Sequence, residues 1–292
     1  MRLWIKWFVK IISFCAWIVP QSVRWSFGVF LAWLWFDVLR LRRYTILRNL
    51  TIAFPDWSAE KKYEIARKSM RYLCYSLPEF LVLPMLSKAD IGKKIFFHGE
   101  ENYEAALKKK KGVLMLSLHI GNGDMGISSI AMKGIPAHLI TKKFSNQIAN
   151  EIWFGIRGAQ GAQFIDPHGS KIAFEILAAC RKNESIVFVI DQFMGKPFGI
   201  ETTFFGKKTG TAKGLALFAS RTGAPVIPVY TYRDEKLNTH VVFEPEVFVE
   251  KIEDRELQIQ VMTQKFNDKV QELVIRHPEQ WMWVHRRWKL FK

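Results

Sequence analysis

Cysteine is scarce in this chain of 292 residues: three in all, Cys15, Cys74 and Cys180, far apart and odd in number. No CxxC pair and no Cys/His cluster occurs, so neither a disulfide framework nor a zinc site is expected, and a reducing compartment fits best. The seven histidines are equally scattered, and no metal or cofactor is expected. Negative charge is also short. Lys and Arg number 43 against 27 Asp and Glu, a formal net charge of +16. That balance calls for anionic partners: nucleic acid, a membrane surface or acidic proteins. Nucleic acid is the weakest of these, because no zinc spacing and no ribonucleoprotein sequence is present. A charge-free apolar run of about 18 residues, the usual requirement for a membrane span, is missing as well. Internal repeats, low-complexity tracts and linkers are all absent.

Apolar and aromatic sequence is plentiful. Hydrophobic residues make up 49% of the chain, enough for a sizeable core. Two tryptophan-rich runs, "LWIKWFVKIISFCAWIV" and "WSFGVFLAWLWFDVL", fill the first forty residues, with Pro20 and Arg24 between them. Lys6 and Lys10 interrupt the first run, one helical turn apart. Tryptophan suits the headgroup boundary of a bilayer. The basic "RLRRYTILRN" that follows suits an anionic cytoplasmic surface. Residues 1–44 are therefore expected to be a membrane-anchoring helical segment, spanning once or lying in the interface. A cleaved signal peptide fits less well, since a second apolar run follows and no small-residue cleavage site is evident. A buried helical pair is the competing structural reading.

Residues 45–292 form the expected catalytic domain. A helical lead-in over 45–94 has turns at "FPDWS" and around Pro78 and Pro84, with Ser58 as a partial N-cap. From 95 onward, short apolar runs alternate with helical stretches. "VLMLSL" (113–118), "VFVI" (187–190), "PVIPVYTY" (225–232) and "HVVFEP" (240–245) read as strands. "DMGISSIAMKG", "NQIANEIWFGIRG", "KIAFEILAACRKN" and "KGLALFASRTG" read as helices, and a long helix begins at "DRELQ". The fold class this implies is α/β: a mixed central sheet flanked by helices.

One stretch, "VLMLSLHIGNGDMGISSI", carries chemistry. A buried strand runs into His119, a Gly-Asn-Gly turn follows, and Asp124 opens a helix. Strand ends meet a crevice in α/β folds. If Asp124 returns from the first helical turn, its carboxylate can bond one imidazole nitrogen and leave the other as a general base. The base would deprotonate a substrate hydroxyl for direct attack, with no enzyme nucleophile. The alternative is a buried, hydrogen-bonded histidine beside a helix-capping aspartate. A second strand end carries Asp191 and Gln192 into a glycine-rich loop, either lining the same crevice or forming an ordinary turn. Arg157, among glycines, either grips a phosphate or faces solvent. Lys108–Lys111 reads as a solvated loop.

The set "HIGNGDMG", "IRGAQGAQFI", "DQFMG…TTFFGKKTGTAKGLALFASRTGAPVIPVY" and "HPEQWMWVHRRWK" resembles the bacterial lipid A biosynthesis late acyltransferases, within the wider His-x4-Asp glycerolipid acyltransferase group. "NLTIAFPDWSAEKKYEIARKSMRYLCYSLPEF" resembles the helical part of that family, so the likeness covers nearly the whole chain. It implies a bacterial inner-membrane enzyme with its site on the cytoplasmic face. It implies transfer of a fatty acyl group from a thioester, on acyl carrier protein or coenzyme A, to a hydroxyl of a lipid A precursor. In that scheme the thioester is a co-substrate, His119 and Asp124 are the catalytic pair, and Arg157 serves acceptor binding. Asn122, Asp191, Gln192, Phe205, Gly206 and Thr211 join Arg157 as substrate-binding positions. Burial of an acyl chain, at about 0.8 kcal/mol per methylene, gives roughly 8 kcal/mol for twelve carbons, and 23 phenylalanines and nine methionines can line the pocket. Transfer to another glycolipid or a lysophospholipid, lipid hydrolysis by the same pair, and non-enzymatic membrane binding are the alternatives.

Overall fold

A computed structural model describes all residues, 1–292. Four helices lead: α1 (Leu3–Ile18), α2 (Gln21–Trp33), α3 (Arg43–Ala53) and α4 (Ala59–Val82). Ser58 caps α4, its hydroxyl accepting from the Lys61 backbone N–H at 3.2 Å. Pro78 lies inside α4 rather than at a turn, a correction to the sequence expectation. Helix α2 packs so closely along α4 that a Cβ on Gly28 would sit 2.8 Å from the Tyr75 Cα.

The remaining elements alternate: β1 (Ile95–His98), α5 (Glu100–Leu107), β2 (Val113–Ser117), α6 (Gly123–Met132), β3 (Ala137–Ile140), α7 (Gln147–Arg157), β4 (Gln163–Ile165), α8 (Ile172–Arg181) and β5 (Ser185–Val189). A hairpin of β6 (Gly199–Phe204) and β7 (Lys207–Ala212) follows, then α9 (Gly214–Thr222), β8 (Val226–Arg233), β9 (Thr239–Phe243) and α10 (Arg255–Arg276). Seven strands form one sheet in the order β1-β9-β8-β2-β5-β3-β4. Only the β8–β9 pair is antiparallel, so the sheet is mixed and mostly parallel.

Strand β2 is central, and its continuous apolar run follows from helices covering both sheet faces. Alternation sorts its side chains. Leu114 and Leu116 join Ile186 and Phe188 in the core beneath α8, α9 and α10. Val113 and Met115 join Val187 in the core beneath α5 and α6.

The N-terminal helices differ from the rest. Trp4, Trp7, Phe8, Ile11, Phe14 and Trp17 are all exposed on α1, while Ile5 and Val9 are buried against Phe80, Met125 and Ile156. No single helix is long and apolar enough to cross a membrane. Leu3–Ile18 and Gln21–Val38 pass that test only as a pair, bent by 100°.

Candidate active site

The parallel register of the two central strands builds the site. Ser117 of β2 lies opposite Val189 of β5. Two residues on from each stand His119 and Asp191, at the carboxyl edge of the sheet where crevices form in open α/β folds. The His119 backbone N–H donates to Asp191 Oδ2 at 2.9 Å, and the ring Nδ1 lies 2.8 Å from Oδ1. The Trp281 indole N–H donates to the same Oδ2 at 2.7 Å.

Electrostatics fixes the tautomer. Burial alone would raise the Asp191 pKa, but the His119 charge and the donors from His119 and Trp281 hold it at about 2. An ionised carboxylate only accepts, so Nδ1 carries the proton and Nε2 presents its lone pair. Desolvation lowers the affinity of His119 for a proton. The charge and hydrogen bond of Asp191, with the charge of Asp124, outweigh it and raise the pKa above the ordinary 6.5. The Asp191 carboxylate is sealed, yet the His119 side chain stays 40% exposed. Such a group can take a proton from a molecule outside.

Asp124 does not hold the imidazole, which corrects the expected hydrogen bond. Its Oδ1 accepts from Nε of Arg157, the last residue of α7. Arg157 also donates to the Thr141 hydroxyl at 2.9 Å. The physical reason is competition. Asp191 reaches both donors of His119 from the neighbouring strand, while Asp124 finds a cation at the end of α7. Asp124 thus acts on His119 through charge alone. Arg157 is neither solvated nor a free phosphate grip.

Other expected site residues make contacts within the protein. Asn122 caps α6, its Oδ1 accepting from the backbone N–H of Asp124 and Met125, while its Nδ2 donates to Glu79 Oε2 at 3.0 Å. Both ends of that amide are engaged within the protein. Phe205 and Gly206 form the two-residue turn of the β6–β7 hairpin, both at positive φ. The Phe205 ring packs edge-on against Phe54. Thr211 is fully buried, its hydroxyl 2.6 Å from that of Thr202 and from Nη2 of Arg287. The strand pairing closes what read as an open glycine-rich loop. Gln192 remains half-buried beside Asp191, its side chain unpaired.

Glu79 and Arg233 were missed by sequence reading. They form a buried ion pair tying α4 to the end of β8. Through Asn122 it also braces the loop after His119. Gly121 in that loop has φ +63°, and a Cβ there would lie 2.5 Å from the Thr231 carbonyl oxygen. Only glycine lets the chain reverse at that point. No group of three or more His, Cys, Asp or Glu side chains is arranged to hold a metal ion.

Comparison with known proteins places the chain as a whole. A family profile described as bacterial lipid A biosynthesis acyltransferase matches residues 1–290. The lipid A biosynthesis palmitoleoyltransferase of Escherichia coli K12 is 24% identical over 294 residues, covering 99% of this chain and 92% of the relative. The lauroyltransferase of the same strain is 22% identical, with the same coverage. A lipid A biosynthesis acyltransferase of Haemophilus influenzae is 22% identical over 81% of this chain and 72% of its own. A match over all but the last two residues places the chain in the bacterial lipid A biosynthesis acyltransferase family.

Proposed function

We propose that this chain moves a fatty acyl group from an acyl thioester, carried by acyl carrier protein, to a hydroxyl of a lipid A precursor, with His119 as general base. The observation that carries this is the half-exposed imidazole whose Nδ1 is tied to a sealed, ionised Asp191. Nε2 takes the proton of the acceptor hydroxyl as its oxygen attacks the thioester carbonyl. The tetrahedral intermediate collapses and expels the thiolate, which takes the proton back from Nε2. An ester and a thiol result, the imidazole is regenerated, and no enzyme-bound acyl group is needed. Asp191 stabilises the transient imidazolium. The Asp124–Arg157 pair is the polar wall beside the base, and Gln192 is the side chain free to meet substrate.

The exposed tryptophans and phenylalanines of α1 and α2 support a seat in the bacterial inner membrane. Arg40, Arg42 and Arg48 are exposed immediately after them and suit the anionic cytoplasmic leaflet. A bent helical pair of this kind fits interfacial seating or a broken span.

The test is transfer by purified protein supplied with acyl carrier protein thioester and lipid A precursor, read by mass spectrometry. The expected product is precursor heavier by one acyl chain. Release of free fatty acid independent of the acceptor would instead establish a hydrolase.

A further inference from the structure

Residues 277–292 follow α10 without regular secondary structure, yet they join both loops of the site. Trp281 makes an antiparallel bridge with Ile120, and the Met282 backbone N–H donates to the His119 carbonyl at 3.1 Å. Gly121 donates to the Gln280 carbonyl, and the Phe193 backbone N–H donates to His285 Nε2 at 3.0 Å. Within this brace, one side chain touches the dyad itself. The Trp281 indole N–H meets Asp191 Oδ2, opposite the oxygen that faces the His119 ring.

We infer that Trp281 is a positioning residue of the dyad: its indole N–H fixes the Asp191 carboxylate and so sets both the orientation and the basicity of His119. The inference rests on the reading of His119 as general base. Three donors converge on two oxygens, and two of the three come from His119 itself. Without the indole the carboxylate has no anchor outside the residue it orients. A charge-assisted donor also spreads the carboxylate charge. Removing it leaves Asp191 a stronger acceptor, and the imidazolium is then better stabilised.

Other charged groups surround the pair. Asp124 and Arg157 face His119 as a bonded pair. His285 and Arg287 face Asp191. Burial lowers the His285 pKa to about 4 and that of Arg287 to about 10, so neither changes charge between pH 5 and 9.

Trp281→Phe keeps the ring and deletes the donor. Trp283→Phe is the control, because Trp283 is as buried and its indole N–H bonds only the Pro278 carbonyl. In acyl transfer by this chain, Trp281→Phe is expected to lower kcat roughly tenfold with KM unchanged. The acidic limb of kcat/KM is expected to move up by about half a pH unit. Trp283→Phe leaves that limb in place. A wild-type pH profile for Trp281→Phe, or equal losses in both variants, overturns the inference.

A second measurement needs no change at Trp281. With 15N-tryptophan labelling, one indole N–H resonance of the wild type is expected to titrate together with kcat/KM. The same resonance is expected to stop titrating in His119→Gln. The absence of any such resonance overturns the inference. Failure of the dyad reading is distinguishable, since His119→Gln would then retain transfer whatever Trp281 does.

Discussion

Ser117 and Val189 are register partners across two parallel strands that are 72 residues apart in the chain, and this pairing sets His119 against Asp191. The contact proposed to be catalytic is therefore a property of the sheet rather than of a local motif. Parallel neighbours project equivalent positions from the same edge, and two residues beyond a matched pair the side chains still meet. A one-residue slip in β5 would turn Asp191 to the opposite face.

The pH dependence of transfer follows from the charge state of this pair. As the proposed general base His119 acts only when neutral, so kcat/KM is expected to fall as pH drops through a pKa above the ordinary 6.5. Asp191→Asn removes the charge that raises it, and the inflection moves to lower pH. Stability has the opposite sense for the two groups. The contribution of His119 is fully present below 6.5 and is lost as pH rises through its elevated value. That of Asp191 is present above 3.8 and is lost as pH falls towards 2. Rate profiles from pH 5 to 9 and acid unfolding curves check both senses.

The contact between Asp124 and Arg157 predominates over any contact to the imidazole. Asp124→Asn leaves a mostly buried guanidinium without its counter-charge, and Arg157→Gln strands the carboxylate. Each single change is expected to cost about 2 kcal/mol of stability, after discounting for the partial exposure of both groups. The double variant is expected to recover part of that loss, read as coupling in a denaturant double-mutant cycle. Asp124→Asn also removes a charge that supports the protonated base, so its acidic limb shifts down, by less than in Asp191→Asn.

Glu79 lies far from His119 in sequence but braces the same loop. It accepts from Arg233 and from Asn122. Glu79→Gln leaves Arg233 buried without its partner, at an expected cost of about 3 kcal/mol. The midpoint of urea unfolding checks this.

Much of the architecture was legible in the sequence, and the gaps have physical causes. Strands β2, β5 and β8 announce themselves as continuous apolar runs because both sheet faces are covered, and β9 by its Val-Val-Phe run, buried at alternate positions. The edge strands β1 and β4, and β3 beside β4, have only three or four residues, too short for a periodic signal. The β6–β7 hairpin is polar and glycine-bearing and reads as loop, because its threonines are satisfied by Arg287 and Asn267 from distant parts of the chain. His119 and Asp191 each stand out as a polar residue ending an apolar strand. That they face each other does not, since local spacing contains no strand order. The His-x4-Asp spacing drew attention to Asp124, which the Arg157 guanidinium claims.

The exposed aromatics of α1 bear on attachment. Trp4, Trp7 and Trp17 are at least half exposed, so replacing all three by serine leaves the core intact. Vesicle partitioning is expected to fall about tenfold or more, with the unfolding midpoint unchanged, as flotation and circular dichroism would show.

The central claim is that Asp191 holds the base. It is tested most directly by steady-state transfer with Asp191→Asn, assayed beside the wild type with the same thioester and lipid acceptor. The expected result is a fall in kcat of roughly a hundredfold or more, with KM little changed and the protein folded. Turnover equal to wild type across the pH range would contradict it.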